Sequence, residues 1–237
     1  MKKILLAVLI LSFASTVHAS MLTNGDFELS ATGNGSVFNN TWDGRNWNVW
    51  DSLPGWTTAN GPGIEVQRSG VVTRSLSGGH HVELDSHGGR DTNTTMYQTV
   101  YLTPGDYNLS FGYFARTNNL NDDNGIFAGI ADSIDPSNFS SFYGTISKTR
   151  RDMGNTWEEI NWSFAIADAA DYNLTFGAYG LDNSLGGLID NISLNPSPVP
   201  EPATIMLFGI GLLVITGMAR KNFYQMSLLQ NLKHSII

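Results

Sequence analysis

The sequence predicts an all-β domain built as a two-sheet sandwich, and three observations carry that expectation. Apolar residues alternate with polar ones in short runs bounded by Gly, Pro, Asn and Asp, which is the period-two pattern of half-buried strands. No amphipathic pattern of three helical turns interrupts them. Gly is abundant at 25 residues and only 14 % of residues are charged, a composition that suits many short strands joined by tight turns. Finally, Asp106-Tyr107-Asn108-Leu109-Ser110-Phe111-Gly112 recurs as Asp171-Tyr172-Asn173-Leu174-Thr175-Phe176-Gly177, 65 positions later. Two copies are too few for a solenoid, so the pair reads as equivalent inner strands of two facing sheets. Within each copy, Tyr with Ser or Thr on one face is only imperfectly separated from Asn, Leu and Phe on the other.

In chain order, Lys2 and Lys3 precede the apolar run Ile4 to Phe13, and Val17-His18-Ala19 closes the segment with a small-x-small pattern. Residues 1–19 therefore read as a secretory signal peptide, cut by signal peptidase. Residues 20–195 form the sandwich domain. Its strand candidates are Ile64 to Val66, His81 to Asp85, Tyr97 to Leu102, Tyr107 to Tyr113, Trp157 to Phe164 and Ile189 to Leu194. Thr103-Pro104-Gly105-Asp106 is a turn, with Pro presetting φ and Gly free to adopt positive φ. Residues 196–221 begin with a stiff Pro-rich spacer and continue as Val199-Pro200-Glu201-Pro202, an apolar run from Ala203 to Met218, then Arg220 and Lys221. Each X-Pro step disfavours helix, so a helix starts only after Pro202. Its sixteen residues are short for a hydrocarbon core of about 30 Å, yet they read as a single transmembrane helix held with Arg220 and Lys221 in the cytoplasm. Residues 222–237 are then a short cytoplasmic tail.

Between Ser20 and Pro198 the chain carries 8 Arg and Lys against 20 Asp and Glu, a net charge near −12. Nucleic acid is excluded as a partner, because phosphate binding needs clustered cations. The absence of Cys excludes a disulfide scaffold, a thiolate nucleophile and a Cys-ligated zinc. The Gly-x-Ser-x-Gly elbow, His-Glu-x-x-His, phosphate loop and dinucleotide fingerprint are missing, which favours a non-catalytic protein.

Two residue groups remain as candidates for chemistry. His81, Glu83, Asp85 and His87 share one face of a strand by period two, with Val82 and Leu84 on the other. Imidazoles and carboxylates projecting together suit a divalent metal or acid-base work; the alternative is a solvated outer face over a packed Val/Leu face. Trp42, Trp47 and Trp50, with Arg45 and Asp43, lie in an Asn/Gly-rich stretch that reads as a loop. Flat aromatics beside amides are what a saccharide face needs, so Trp42, Trp47, Trp50 and Arg45 are the candidate ligand-binding residues. Trp56, after the Pro54-Gly55 turn, reads as core.

Val199-Pro200-Glu201-Pro202, the Gly-containing apolar run and Arg220-Lys221 resemble the PEP-CTERM sorting signal of Gram-negative bacteria. This module also goes by the name of an ice-binding protein C-terminal domain, a label that says nothing of ice. The resemblance implies an inner-membrane exosortase as partner, cleavage near Pro200-Glu201-Pro202, and a precursor anchored in the inner membrane facing the periplasm before delivery to the cell surface or extracellular polymer. Asn222 to Ile237 departs from it, since such signals usually stop soon after the basic cluster. Asn24-Gly25-Asp26-Phe27-Glu28, Leu53-Pro54-Gly55-Trp56, Ile64-Glu65-Val66, His81-Val82-Glu83-Leu84-Asp85 and Ile189-Asp190-Asn191-Ile192-Ser193-Leu194 resemble the galactose-binding-like jelly roll of carbohydrate-binding modules. That resemblance places the opening and closing segments side by side around a structural Ca²⁺, with Asp26, Glu28 and Asp190 as its hard oxygen ligands; ordinary turn and strand-edge carboxylates are the alternative. The function expected is an exported, non-catalytic, glycan-binding sandwich at the cell surface or in the extracellular matrix, with polysaccharide as partner. A secreted carbohydrate-active enzyme and a purely structural surface protein are the rivals.

Overall fold

The computed structural model describes residues 20–29, 46–87, 92–119, 124–131, 139–198, 209–214, 216–217 and 220. Contacts divide the chain into two compact units, Met1–Ser197 and Pro198–Ile237. The signal segment, Trp42, Asp43, Arg45, Val199 to Pro202, Lys221 and the tail from residue 222 lie outside the described residues.

The first unit is the two-sheet sandwich. Its strands are β1 (Trp47–Trp50), β2 (Ser52–Leu53), β3 (Trp56–Asn60), β4 (Ile64–Arg68), β5 (His80–Glu83), β6 (Thr95–Leu102), β7 (Gly105–Phe114), β8 (Gly125–Ala131), β9 (Phe139–Ile146), β10 (Glu158–Ile166), β11 (Ala170–Tyr179) and β12 (Leu188–Pro196). The first sheet runs β1-β4-β5-β12-β7-β10 and the second β2-β3-β6-β11-β8-β9, so strands distant in sequence alternate within each sheet in jelly-roll fashion.

The two copies of the repeated segment become β7 and β11, each flanked on both sides and each in a different sheet. Their faces separate more cleanly than the sequence pattern suggests. Tyr107, Leu109 and Phe111 are buried between the sheets, as are Tyr172, Leu174 and Phe176, while the intervening Asn, Ser or Thr and Gly take the outer faces. Both tyrosines also make the same bond. Tyr107 Oη donates to the Thr103 carbonyl at 2.9 Å and Tyr172 Oη to the Asp168 carbonyl at 2.9 Å, each pinning the strand to the turn before it. Phe27 and Trp56 close one end of the core with ring centroids 5.9 Å apart, and Trp56 Nε1 donates to the Asn24 carbonyl at 3.0 Å. Trp56 is core, as its position predicts.

In the second unit residues 209–214 are helical. Among the described residues no helix is long and apolar enough to cross a membrane.

Candidate functional site

The opening and closing segments do lie side by side: Ile192 N donates to the Gly25 carbonyl at 2.8 Å. Glu28 and Asp190, however, spend their oxygens on protein donors. Glu28 Oε1 accepts from Gly79 N at 2.7 Å and His80 N at 2.8 Å, and Oε2 meets His80 Nδ1 at 2.9 Å. Asp190 Oδ2 accepts from Leu76 N and Ser77 N at 2.8 and 2.9 Å, and Oδ1 from Ser77 Oγ and Asn191 N at 3.1 and 2.6 Å. Asp26 Oδ1 takes a long bond from Glu28 N at 3.4 Å. A cation on these oxygens would face N–H hydrogens, whereas Ca²⁺ wants six to eight oxygen ligands. Among the described residues no group of three acidic or imidazole side chains is placed to hold a metal ion. In this structure Glu28 and Asp190 form a clasp, two carboxylates gripping the loop from Leu76 to His80. Burial pushes the Asp190 carboxyl up to about 6, although its bonds from Ser77, Asn191 and Leu76 pull it down.

The His81 face also departs from expectation. Period two correctly puts Val82 and Leu84 inside, but His81, Glu83 and Asp85 are buried as completely as they are. Glu83 stands directly opposite Glu65 on β4, and His81 opposite Gln67. The Gln67 amide donates to Glu65 Oε1 at 2.9 Å and to Glu83 Oε2, so one NH₂ group bridges two carboxyls. Arg116 pairs with Glu83, His87 Nδ1 and N contact Glu65 Oε2 at 2.8 and 2.6 Å, and Ser75 Oγ meets His81 Nδ1 at 3.0 Å. Burial holds Glu83 well above the usual carboxylate range against the pull of Arg116. Burial likewise takes His81 down to about 3, helped by His80. Both Glu65 and Glu83 are 0 % exposed, so the face is packed under other side chains and not solvated. Asp85 belongs to a neighbouring clasp, accepting from Asn183 N and Leu185 N at 3.2 and 2.9 Å.

Trp47 and Trp50 belong to β1 rather than a loop. Three residues apart on a strand, they point to opposite faces. Trp50 pairs with Ile64 and packs on the core, whereas Trp47 stacks on the His87 ring at 4.3 Å and 27°. They do not form one platform.

A platform does exist on the outer face of the second sheet. There β6 presents Tyr97, Thr99 and Tyr101, β11 presents Asp171, Asn173, Thr175 and Gly177, and β8 presents Phe127, Gly129 and Ala131. Tyr97 lies opposite Thr175, Thr99 opposite Asn173, and Gly177 opposite Phe127. The centre is made of small residues that are themselves buried, Thr175 and Ala131 completely, and is flanked by rings. Thr99 Oγ1 donates to Asn173 Oδ1 at 2.7 Å, which orients the amide on that floor. Tyr101 is 60 % exposed, while Tyr97 and Phe127 are half-buried. The Tyr97-x-Thr99-x-Tyr101 alternation was the available signal for this face: aromatic residues at outward positions of a strand.

In the second unit the proline-flanked acid at Glu201, the apolar run after it and the basic pair Arg220-Lys221 follow one another within 24 residues, and residues 198–221 match a known sorting family. They are a PEP-CTERM protein-sorting motif. The PEP-CTERM motif marks the chain as an exported protein with a C-terminal sorting signal. Among curated proteins none matches the chain. Similar solved structures include TmCBM61 in complex with β-1,4-galactotriose, 18 % identical over 76 % of this chain and 100 % of that one, with a TM-score of 0.43. They also include a carbohydrate-binding module of Cellvibrio mixtus lichenase 5A in complex with cellotriose, 14 % identical over 60 % and 92 %, TM-score 0.38. A third is the arabinose-bound α-L-arabinofuranosidase MgGH51, 11 % identical over 76 % of this chain but 27 % of the enzyme, TM-score 0.46.

Proposed function

We propose that the exported sandwich is a non-catalytic glycan-binding domain, delivered by exosortase to the cell surface or extracellular polymer, and that it holds its glycan on the outer face of the second sheet. Tyr97, Tyr101 and Phe127 around the small-residue floor carry this reading. Sugar rings stack their apolar faces on aromatics while hydroxyls take directional bonds from amides and hydroxyls, and the exposed Thr99 hydroxyl beside Tyr101 supplies one such group. Before cleavage the PEP-CTERM helix anchors the precursor in the inner membrane with the sandwich in the periplasm; afterwards the sandwich is free of it.

Calorimetric titration of the exported protein with neutral β-1,4-linked oligosaccharides, cellotriose and galactotriose among them, tests the reading. One stacking ring contributes about 0.5 to 1.5 kcal/mol beyond area burial, so Tyr97→Ala weakens binding about threefold to tenfold with the melting temperature nearly unchanged. Unchanged retention by Tyr97→Ala, or no saturable binding to any glycan tried, overturns it and leaves a purely structural surface protein. The enzyme reading draws no support from Glu65 and Glu83. Their carboxyls stand close, as glycoside hydrolysis requires, but both are packed under other side chains.

A further inference from the structure

We propose that the opposite face of the sandwich carries a second, separate ligand site, a small pocket for an amino sugar with a free ammonium group. The pocket lies on the first sheet, has a volume of about 340 Å³, and is lined by Leu76, Ser110, Gly112, Trp157, Glu159 and Asn191. That size sits at the low end of ligand pockets, roughly 300 to 1,000 Å³, and suits one or two rings rather than a long chain.

The walls are built. Gly112 lies at the base, where the Leu76 side chain occupies the place a Cβ would take and Trp157 Cε3 comes within 3.2 Å of it, so the glycine lets both walls close down onto the strand. The indole is locked from behind. Its Nε1 donates to the Arg74 carbonyl at 2.7 Å, His81 meets it edge-on at 5.7 Å, and Phe114 packs at 5.5 Å. Leu76 is held in place by the bond from its N–H to Asp190. Asn191, in the left-handed region at φ 54°, sits in the irregularity between Asp190 and Ser193, which turns it to the rim.

The polar groups specify the ligand. Glu159 lies directly opposite Gly112 on β10, exposed at the rim, and no cationic side chain lines the pocket. A carboxylate beside an aromatic face attracts a cation twice, by charge-assisted hydrogen bonding and by the ring quadrupole, and it repels uronates and sulfated sugars. Ser110 and Asn191 add separate hydrogen-bonding groups, which suits a ring bearing several hydroxyls better than a lone alkylammonium. The site does not depend on the tyrosine face, because the two lie on different sheets.

Titration of the exported protein with the β-1,4-linked glucosamine trimer, its N-acetylated form and cellotriose decides the matter. The deacetylated trimer should bind best, Glu159→Gln should weaken it at least tenfold while leaving the melting temperature and cellotriose binding unchanged, and Tyr97→Ala should leave it unaffected. Trp157→Ala should abolish it; where that variant does not fold, Glu159→Gln alone decides. Equal binding by Glu159→Gln and the parent overturns the site, since general attraction to an acidic surface would survive that change. No preference for the deacetylated trimer over the other two also overturns it, whether or not the tyrosine face binds cellotriose.

Discussion

Gly177 lies beneath the ring of Phe127, directly opposite it across β11 and β8, and a Cβ at Gly177 would collide with that ring. The matching glycine of the repeated segment, Gly112, lies between Leu76 and Trp157 on the other sheet. The same sequence position thus lets a large side chain lie against the outer surface of each sheet.

Gly177→Ala should therefore lift Phe127 from the strand. Gly177 sits at a φ outside the left-handed region, so the backbone tolerates Ala and the cost is steric, about 1 to 3 kcal/mol for inserting a methyl group into a packed contact. Glycan affinity should fall with it, because the ring leaves its place on the platform. Urea denaturation and titration on one sample measure both; wild-type values for both would mean that the ring does not rest on Gly177.

His81 should make the fold sensitive to acid. Folded, it is held neutral down to about pH 3 by burial; unfolded, it protonates near 6.5. A lowered histidine pKa means that the unfolded state binds the proton first, so stability is lost as pH falls from about 6.5 toward 3, at up to about 1.4 kcal/mol per pH unit. Asp190 and Glu83, both raised, act oppositely, losing stability as pH rises above the ordinary carboxylate range, so a difference measurement is needed. His81→Asn should be destabilised at pH 7 by the loss of its Ser75 and Gln67 contacts, and its deficit relative to the parent should shrink steadily on acidification. A deficit constant from pH 7 to 4 would remove His81 as the cause.

How far the sequence could be read depended on what kind of contact each residue makes. Strand faces were legible where both neighbours are strands: Val82 and Leu84 inside, Tyr107 and Tyr172 at equivalent positions. Alternation says which residues share a face but not what covers it. His81 and Glu83 are buried because Ser75, Arg116 and Trp157 arrive from elsewhere in the chain, and no local pattern announces that layer. The Trp47-Asn48-Val49-Trp50 stretch lacks alternation and reads as loop, yet pairing with β4 makes it a strand and sends its two indoles to opposite sides. Asp26, Glu28 and Asp190 have the chemistry of metal ligands, and only the N–H groups of the loop from Leu76 to His80 reveal that the oxygens of Glu28 and Asp190 accept bonds from the protein.

Calcium should consequently leave the melting temperature of the exported protein unchanged between EDTA and millimolar metal, because ligand binding to the native state alone would raise it. The carboxylates still matter for stability. Glu28→Gln and Asp190→Asn each weaken charge-assisted bonds to backbone N–H groups, about 1.5 to 3 kcal/mol apiece, and should do so equally in EDTA. A rise with calcium that disappears in both variants would restore the cage.

The last expectation concerns where the exported chain ends. Strand β12 pairs with β7 up to Pro196, opposite Tyr107, and Ser197 N donates to the Asp106 carbonyl at 2.8 Å. Cutting before Ser197 would require peeling a central strand from its neighbours and exposing the backbone groups it satisfies. Cutting between Pro198 and Pro202, within the PEP-CTERM motif, breaks none of these bonds. The last of these strand bonds thus lies before the motif starts at Pro198, so cleavage within the motif costs no strand pairing. Intact-mass measurement of the exported species should place the new C-terminus between Pro198 and about Pro202, with β12 complete. Disruption of β12 pairing by Leu194→Pro should let nonspecific cleavage move inward of Ser197. Recovery of peptides from Asn222 to Ile237 on the exported protein would show instead that the motif is not cleaved in this chain.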